Sequence, residues 1–352
     1  MRPVRLFLFF ILFFFLIPVQ AKEKLCVVVP VSGKYASLGQ RVMQAVKLQI
    51  TRDGCGLDVR SFDTMGTVDG ATNALSDASN DDECLAVIGG IGDETGDRVA
   101  TWAEVWGIPV LLLNGQGQAH GMWIFRLRPS RDNLFRDLAV RVAKSGLNTG
   151  FMVCSPDRFQ DDACTAFSKG MQAAGGSILK KVVCTEPKLC AKKVAHEVGR
   201  RKGPFFVFVP FSLTDTVRFY AFLNYMQVRD RFVLVGGPLL NVPSLLLRRS
   251  AELEGLLFGD VFASVMNPEL VQQYLRFSGH DLSTLEIWAM DSTRFICQAF
   301  LSGADTRDAI RLFFEQAKSF QGVVDEYFNP GNGEWHSFIH LFKVHGGTLE
   351  PL

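Results

Sequence analysis

Almost no net charge is carried by this chain: 37 Lys and Arg against 36 Asp and Glu leave +1 over 352 residues. Partners that bind through a strongly basic surface, such as nucleic acid or an anionic membrane face, are therefore not expected. Beyond residue 21 no stretch is long and apolar enough to span a bilayer. The chain has no His-Glu-x-x-His, no Gly-x-Ser-x-Gly and no cysteine pair at zinc spacing. Hydrolase and metalloenzyme readings thus have no motif to rest on, and neither a metal nor another cofactor is implied. Low-complexity linkers, heptads and short repeats are missing too. Eight cysteines are too few for a disulfide-built miniprotein of this length. The core must be hydrophobic, with a few covalent staples.

The N-terminus has a definite layout. A short basic start, Met1 to Arg5, precedes the apolar run 6–17, then Pro18 and the small-residue site Val19-Gln20-Ala21. This is the pattern of a secretory signal peptide, expected over residues 1–21 and cut after Ala21. As a helix the run would reach only about 18 Å, short of the ~30 Å of a bilayer's hydrocarbon. Glu23-Lys24-Leu25 before Cys26 is no lipoprotein site. A soluble, exported mature chain of 331 residues is expected, enough for two domains.

The first structured stretch reads "KLCVVVPVSGKYASLGQRVMQAVKLQI". An apolar run stops at Ser32-Gly33, a loop follows, and Val42, Ala45, Val46 and Leu48 then fall at helical spacing. The unit is strand, glycine-containing loop, helix. Strand-like runs recur at 25–31, 57–62, 85–91, 108–113 and 123–127, then at 149–154, 178–184, 205–210, 232–235 and 256–258. Amphipathic stretches such as 99–105, 134–143, 163–174 and 215–226 lie between them. Such alternation predicts βαβ units and parallel sheets covered on both faces. Ten strands suit two five-stranded lobes better than one sheet. Three helical segments follow, near 268–277, 285–301 and 306–317. Segments 321–328 and 337–344, around the turn Asn329-Pro-Gly-Asn-Gly333, read as a hairpin with Gly346-Gly347 after it.

Five stretches in order carry a resemblance. They are "VVVPVSGKYASLGQRVMQAVKLQI", "AVIGGIGDETGDRVATWAEVWGIPVLLLNGQG", "IFRLRPSRDN", "SPDRFQDDACTAFSKGMQAAGGSI" and "FQGVVDEYFNPGNGEWHSFIHLFKVHGGTLEPL". The chain resembles the leucine/isoleucine/valine-binding-protein-like family, the type I periplasmic binding proteins. The resemblance implies an α/β fold: two doubly wound parallel-sheet lobes joined by three crossover strands, near 126–129, 261–265 and 329–336. Lobe one would be 22–127 plus 264–330, and lobe two 128–263 plus 331–352. It also implies a monomeric, non-catalytic periplasmic protein that captures a small molecule and hands it to the permease of an ABC-type importer. A non-transport regulatory or sensor domain on the same fold, for example an activator of cell-wall synthesis, is the alternative.

The resemblance places the ligand at loops following the lobe-one strands. Those are Asp93, Glu94 and Thr95 at a helix start, Asn114, Gly115 and Gln116 on the next loop, and Leu38 from the opening loop. Lobe two would add Phe159, Phe211, Ser212, Pro238 and Leu239. A helix N-terminus suits an anion. The pattern departs from an amino-acid binder. The lobe-two carboxylate that would take the ligand amine falls near Gly237-Pro238, and an aromatic hydroxyl is absent at Phe159. A buried amine without a partner costs several kcal/mol. Either Asp93 or Glu94 takes the amine, or the ligand is not an α-amino acid; alternatively the two acids only cap the helix. The resemblance also implies a disulfide near Cys55 and Cys84. Cys184 and Cys190 flank a five-residue loop and read as a second bridge, Cys154 and Cys164 as a possible third, and Cys26 and Cys297 as buried thiols.

Two further patterns in the sequence are weaker. Gly90-Ile-Gly92 with Gly96 opens a helix as a dinucleotide loop does, but after the third strand, one residue too long, and with two acids where a pyrophosphate would lie. His336 and His340 share a strand face and His345 does not, so the three read as solvated hairpin residues.

Overall fold

The computed structural model describes residues 23–117, 121–199, 201 and 204–352; the expected signal peptide lies outside them. The chain runs β1 (Lys24–Val29), α1 (Ala36–Asp53), β2 (Asp58–Asp63), α2 (Val68–Ser79), β3 (Cys84–Gly89), α3 (Asp93–Trp106), β4 (Val110–Leu112) and β5 (Ile124–Phe125). It continues through α4 (Arg131–Lys144), β6 (Thr149–Cys154), α5 (Arg158–Ala173), β7 (Ser177–Val183), α6 (Pro187–Gly199), β8 (Phe205–Val209), α7 (Leu213–Tyr225), β9 (Phe232–Gly236), α8 (Pro243–Arg248) and β10 (Leu257–Asp260). The last third holds α9 (Pro268–Ser278), α10 (Thr284–Leu301), α11 (Arg307–Gln316), β11 (Ser319–Gln321), β12 (Glu326–Phe328), β13 (His340–His345) and β14 (Thr348–Pro351).

Two sheets organise the molecule. The first has the order β2-β1-β3-β4-β5, all parallel. The second has seven strands, β14-β13-β10-β9-β8-β6-β7, with β13 and β14 antiparallel at one edge. Strands β3, β4 and β8 are buried at every residue, as parallel strands with helices on both faces should be. Their unbroken apolar runs are that burial written in sequence. Hydroxyl or carboxylate caps start several helices: Thr67, Ser130, Asp157, Ser212 and Thr306 each accept from an N–H of the first turn. Ser283 and Glu286 form a capping box on α10.

The chain passes between the sheets after β5, after β10 and after β12. Helix α10 returns to the first sheet and packs on α1. There Arg41 Nε lies 2.8 Å from Oε1 of the buried Glu286. The first and third passages run side by side: Arg126 N–H donates to Gly333 O and Trp335 N–H to Arg126 O, each at 2.8 Å. Glu334 Oε1 then accepts from the Ser130 N–H (2.8 Å) and Asn133 Nδ2 (2.7 Å), tying this passage to the start of α4.

Three expectations are corrected. The hairpin of 321–328 with 337–344 does not form as such. Segment 319–328 folds on itself as β11 and β12, while β13 pairs with β10 and with β14 across Gly346-Gly347, both at positive φ. The second sheet has seven strands rather than five, because β13 and β14 extend it. The Cys55–Cys84 bridge is replaced by Cys26–Cys84 and Cys55–Cys297, and Cys26 and Cys297 are not free thiols. The cause is topology. Strand β3 pairs directly with β1, which brings Cys84 to Cys26, and the turn after α1 meets α10, which brings Cys55 to Cys297. Bridges Cys154–Cys164 and Cys184–Cys190 are present.

Candidate functional site

Strands β3 and β4 end in the loops that carry the expected ligand residues. Gly90 and Gly92 hold φ of 77° and 95°, which L side chains avoid, so the chain can turn sharply into α3. No side chain caps α3: its N-cap is Gly92. The first-turn N–H groups at 93–95 therefore face outward without a helical acceptor. Thr95 is buried, and its hydroxyl donates back to Ile91 O and, at 3.3 Å, to Gly92 O. Beside this turn lies a cavity of about 370 Å³, lined by Tyr35, Leu38, Gly66 and the run 91–95. Leu38, Asp93, Glu94 and Thr95, which the resemblance names, line this one cavity.

The loop after β4 is held tightly. Asn114 is buried; its Nδ2 donates to Gln116 O at 2.6 Å and its Oδ1 accepts from Arg126 Nη2 at 3.2 Å. Gly96 packs against it so closely that an added Cβ would sit 2.2 Å from Asn114 Nδ2. Gly115 O accepts from the Arg131 N–H at 2.9 Å, joining this loop to the first turn of α4.

A chain of polar side chains then links the loops of the first sheet to the helices of the second. Asp93 Oδ2 accepts from Arg131 Nη2 at 3.0 Å. Arg131 Nη1 reaches Asp162 Oδ2 at 3.3 Å, and the same oxygen accepts from Gln116 Nε2 at 2.9 Å. The Arg131 guanidinium lies over the Phe159 ring, 4.6 Å from its centroid. A cation in the first turn of α4 opposes the helix dipole, so Arg131 is held there by its two carboxylates. Asp93, expected to receive a ligand amine or cap its helix, instead binds a cation of the protein itself. Glu94 is exposed.

A second arginine lies against the loop after β4. Arg128 Nη1 donates to Leu113 O at 2.8 Å, and its guanidinium lies 4.5 Å from the Trp288 ring centroid. Burial, with Arg131 alongside, lowers its pKa to about 10, so it stays charged at neutral pH. Asp260, at the end of β10, has its pKa pushed up to about 6 by burial. Its Oδ2 accepts from Asn241 Nδ2 (2.8 Å) and the Thr284 hydroxyl (2.6 Å), and its Oδ1 from the Val261 N–H (2.7 Å).

Other expected residues lie elsewhere. Phe211 is buried in the second sheet's core, edge-on to Phe219 at 5.7 Å. Ser212 caps α7 and also donates to Asp215 Oδ2 at 2.9 Å. Pro238 opens a short 3-10 turn on which Leu239 is exposed. Sequence reasoning missed Arg128, Arg131, Asp162 and Trp288. The signal for the first two was present in "RLRPSRDN", three arginines within six residues at the first passage.

Residues 23–347 match the profile of a family described as "Periplasmic binding protein". The chain belongs to the periplasmic binding protein family. Solved structures agree on its type I fold. An ABC transporter substrate-binding protein from Sphaerobacter thermophilus aligns with TM-score 0.79 at 17% identity, covering 94% of this chain and 96% of that one. A leucine-binding protein from Thermotoga maritima aligns at 0.70 and 16%, covering 94% and 97%. An ABC transporter solute-binding protein from R. palustris in complex with benzoate aligns at 0.71 and 16%, covering 94% and 96%. No curated protein sequence matches the chain. Among the described residues of this periplasmic binding protein, no helix is long and apolar enough to cross a membrane. No cluster of three or more His, Cys, Asp or Glu there could hold a metal ion. His340 and His345 each pair with a different carboxylate, Asp325 at 2.5 Å and Glu254 at 2.6 Å.

Proposed function

We propose that this periplasmic binding protein captures a small polar organic ligand between its two sheets and delivers it to an ABC-type importer. The observation that carries the reading is the meeting, at the uncapped start of α3, of groups from both sheets: the 93–95 turn and Gln116 on one side, Arg131, Phe159 and Asp162 on the other. Open α/β sheets bind ligands at the carboxyl ends of their strands. In this reading the lobes are 22–127 plus 264–330 and 128–263 plus 331–352. In this reading the site binds and releases its ligand without changing it. The protein acts as an exported periplasmic monomer with the permease as partner. The structural relatives bind leucine in one case and benzoate in another, and the carboxylate is the group those two ligands share.

Native mass spectrometry of the purified protein tests the reading. A small molecule bound one to one, released on denaturation, is expected. A bare chain that also takes up nothing from a library of small organic acids, amides and amino acids would refute it.

A further inference from the structure

Resting on that reading, the groups that meet across the site also hold its two walls together. Two side-chain bonds run from the first sheet's loops to the second sheet's helices. Arg131 Nη2 donates to Asp93 Oδ2 at 3.0 Å, and Gln116 Nε2 to Asp162 Oδ2 at 2.9 Å. Arg131 Nη1 joins the two by donating to that same Asp162 oxygen at 3.3 Å. On the first-sheet side, Asn114 packs against Gly96 of α3 and donates to the Gln116 carbonyl, which fixes the two loops to each other. The contacts therefore close a ring through α3, the 114–116 loop, α5 and α4. Asp93 and Asp162 stand 38 residues before and 31 residues after Arg131, away from the three passages between the sheets. A hinge motion at those passages would pull these partners apart.

Fold stability does not account for the arrangement. The Asp93 and Asp162 side chains are 39% and 41% exposed, and ion pairs of that exposure add little to a fold. The Arg131 side chain is nearly covered, at 12%, and it stands in the first turn of α4, where the helix dipole disfavours a cation. It nonetheless has a built support. The Phe159 ring lies 4.6 Å from the guanidinium, Phe135 meets Phe159 edge-on at 6.0 Å, and a Cβ at Gly237 would fall 2.5 Å from Phe135 Cε1. The aromatic base of Arg131 thus fills the space that a side chain at 237 would need. A guanidinium presents its donors in a fixed fork, so one group sets the spacing of two carboxylates, which an ammonium does less well.

We infer that Arg131 is the positioning residue of the site: bridging Asp93 and Asp162, it latches the two sheets together through the protein's own side chains. The latch has two consequences for a carrier. The ligand does not have to supply the free energy of closure, so its apparent affinity is not reduced by a rare closed state. Opening of the latch gates entry and release alike.

A distance measurement between two spin labels tests it and needs no ligand. Labels on unnatural amino acids at the exposed Asn73 of α2 and Gln172 of α5 leave the four disulfides intact. The protein is first unfolded with its bridges closed, dialysed and refolded, which removes retained small molecules. One short, narrow distance population is expected for the parent. Arg131→Gln should shift it to a longer, broader one and lower the ratio of closed to open molecules roughly 3–10-fold, the low end for charged hydrogen bonds between partly exposed groups. Arg131→Lys should recover part of that loss. Asp162→Asn removes the acid that Arg131 and Gln116 share, should shift the distance the same way, and decides the matter if Arg131→Gln does not fold. A merely structural bridge would lower the melting temperature of these variants and leave the distance where it is. That result would overturn the inference, and so would a parent already at the longer distance. Neither result bears on the carrier reading, which native mass spectrometry judges separately.

Discussion

Replacing Cys55 and Cys297 together by alanine should be the most destabilising removal of any of the four bridges. The bridge joins residues 242 apart, across Cα atoms separated by 5.4 Å. In the chain-entropy account, a cross-link stabilises by denying the unfolded chain its freedom, and the effect grows with the logarithm of loop length. A loop of 242 residues gives about 5 kcal/mol by that relation, and the loop of 58 closed by Cys26–Cys84 gives about 4. The 10-residue Cys154–Cys164 loop and the 6-residue Cys184–Cys190 loop give only about 2–3 kcal/mol each. The bridge also pins the end of α1 to α10, where the last third of the chain returns to the first sheet. Denaturant unfolding of four double alanine variants, each compared with the oxidised parent, gives the order. The expected ranking of losses is 55–297, then 26–84, then the two short loops. Peptide mapping without reduction fixes the pairing beforehand. A fragment joining Cys55 to Cys84 would refute the connectivity, and a 55–297 loss no larger than that of 184–190 would refute the loop-length reasoning.

Gly96→Ala should cost about 1–3 kcal/mol by overpacking, since its Cβ would meet the buried Asn114; calorimetry should also show weakened ligand binding as the 114–116 loop shifts. Asp93→Asn frees Arg131 from one carboxylate and, for a partly exposed pair, should cost the fold at most about 1 kcal/mol. Calorimetry should also show an altered affinity for the ligand, since Asp93 lines the cavity and orients Arg131; an affinity unchanged would count against the proposed site. Asp291 lies buried, with Tyr327 Oη donating to it at 2.6 Å and the Val323 N–H at 2.5 Å, and burial raises its pKa to about 7 from 3.8. A raised acid pKa favours the folded state while protonated. Its contribution is full below about pH 4 and is lost as pH rises to about 7. Asp291→Asn should therefore flatten the decline of unfolding free energy between those values; an unchanged slope would show that Asp291 does not titrate there.

How much was legible depended on distance along the chain. The ten parallel strands, β1 to β10, lie within a residue or two of their expected places, because parallel strands buried on both faces are unbroken apolar runs. Helix α6 went unassigned, since its buried Cys190, Ala191, Val194 and Val198 alternate with three lysines and a histidine. The terminal hairpin was misplaced because the Asn329–Gly333 turn looked like its tip. The Gly346-Gly347 turn is the one at which β13 and β14 pair, and the 329–333 stretch belongs to the passage between sheets. Around the cavity, Leu38 and the 93–95 turn came from the family resemblance, and the strand-loop-helix pattern gave only the loops that carry them. The Arg131 bridge was not legible, because it joins groups 38 and 31 residues apart, from a helix start where a cation is disfavoured. Cysteine pairing was equally hidden: eight cysteines allow about 105 connectivities, and strand order decides between them.

The most direct measurement is a crystal structure of the protein with the ligand that native mass spectrometry identifies. The account predicts that ligand between the two sheets, within hydrogen-bond distance of the N–H groups of 93–95, with Phe159 alongside. A ligand seated instead on the second sheet's outer edge, in the depression of about 470 Å³ formed by residues 180–183 with Lys192, Lys193, His196 and Glu197, would contradict it.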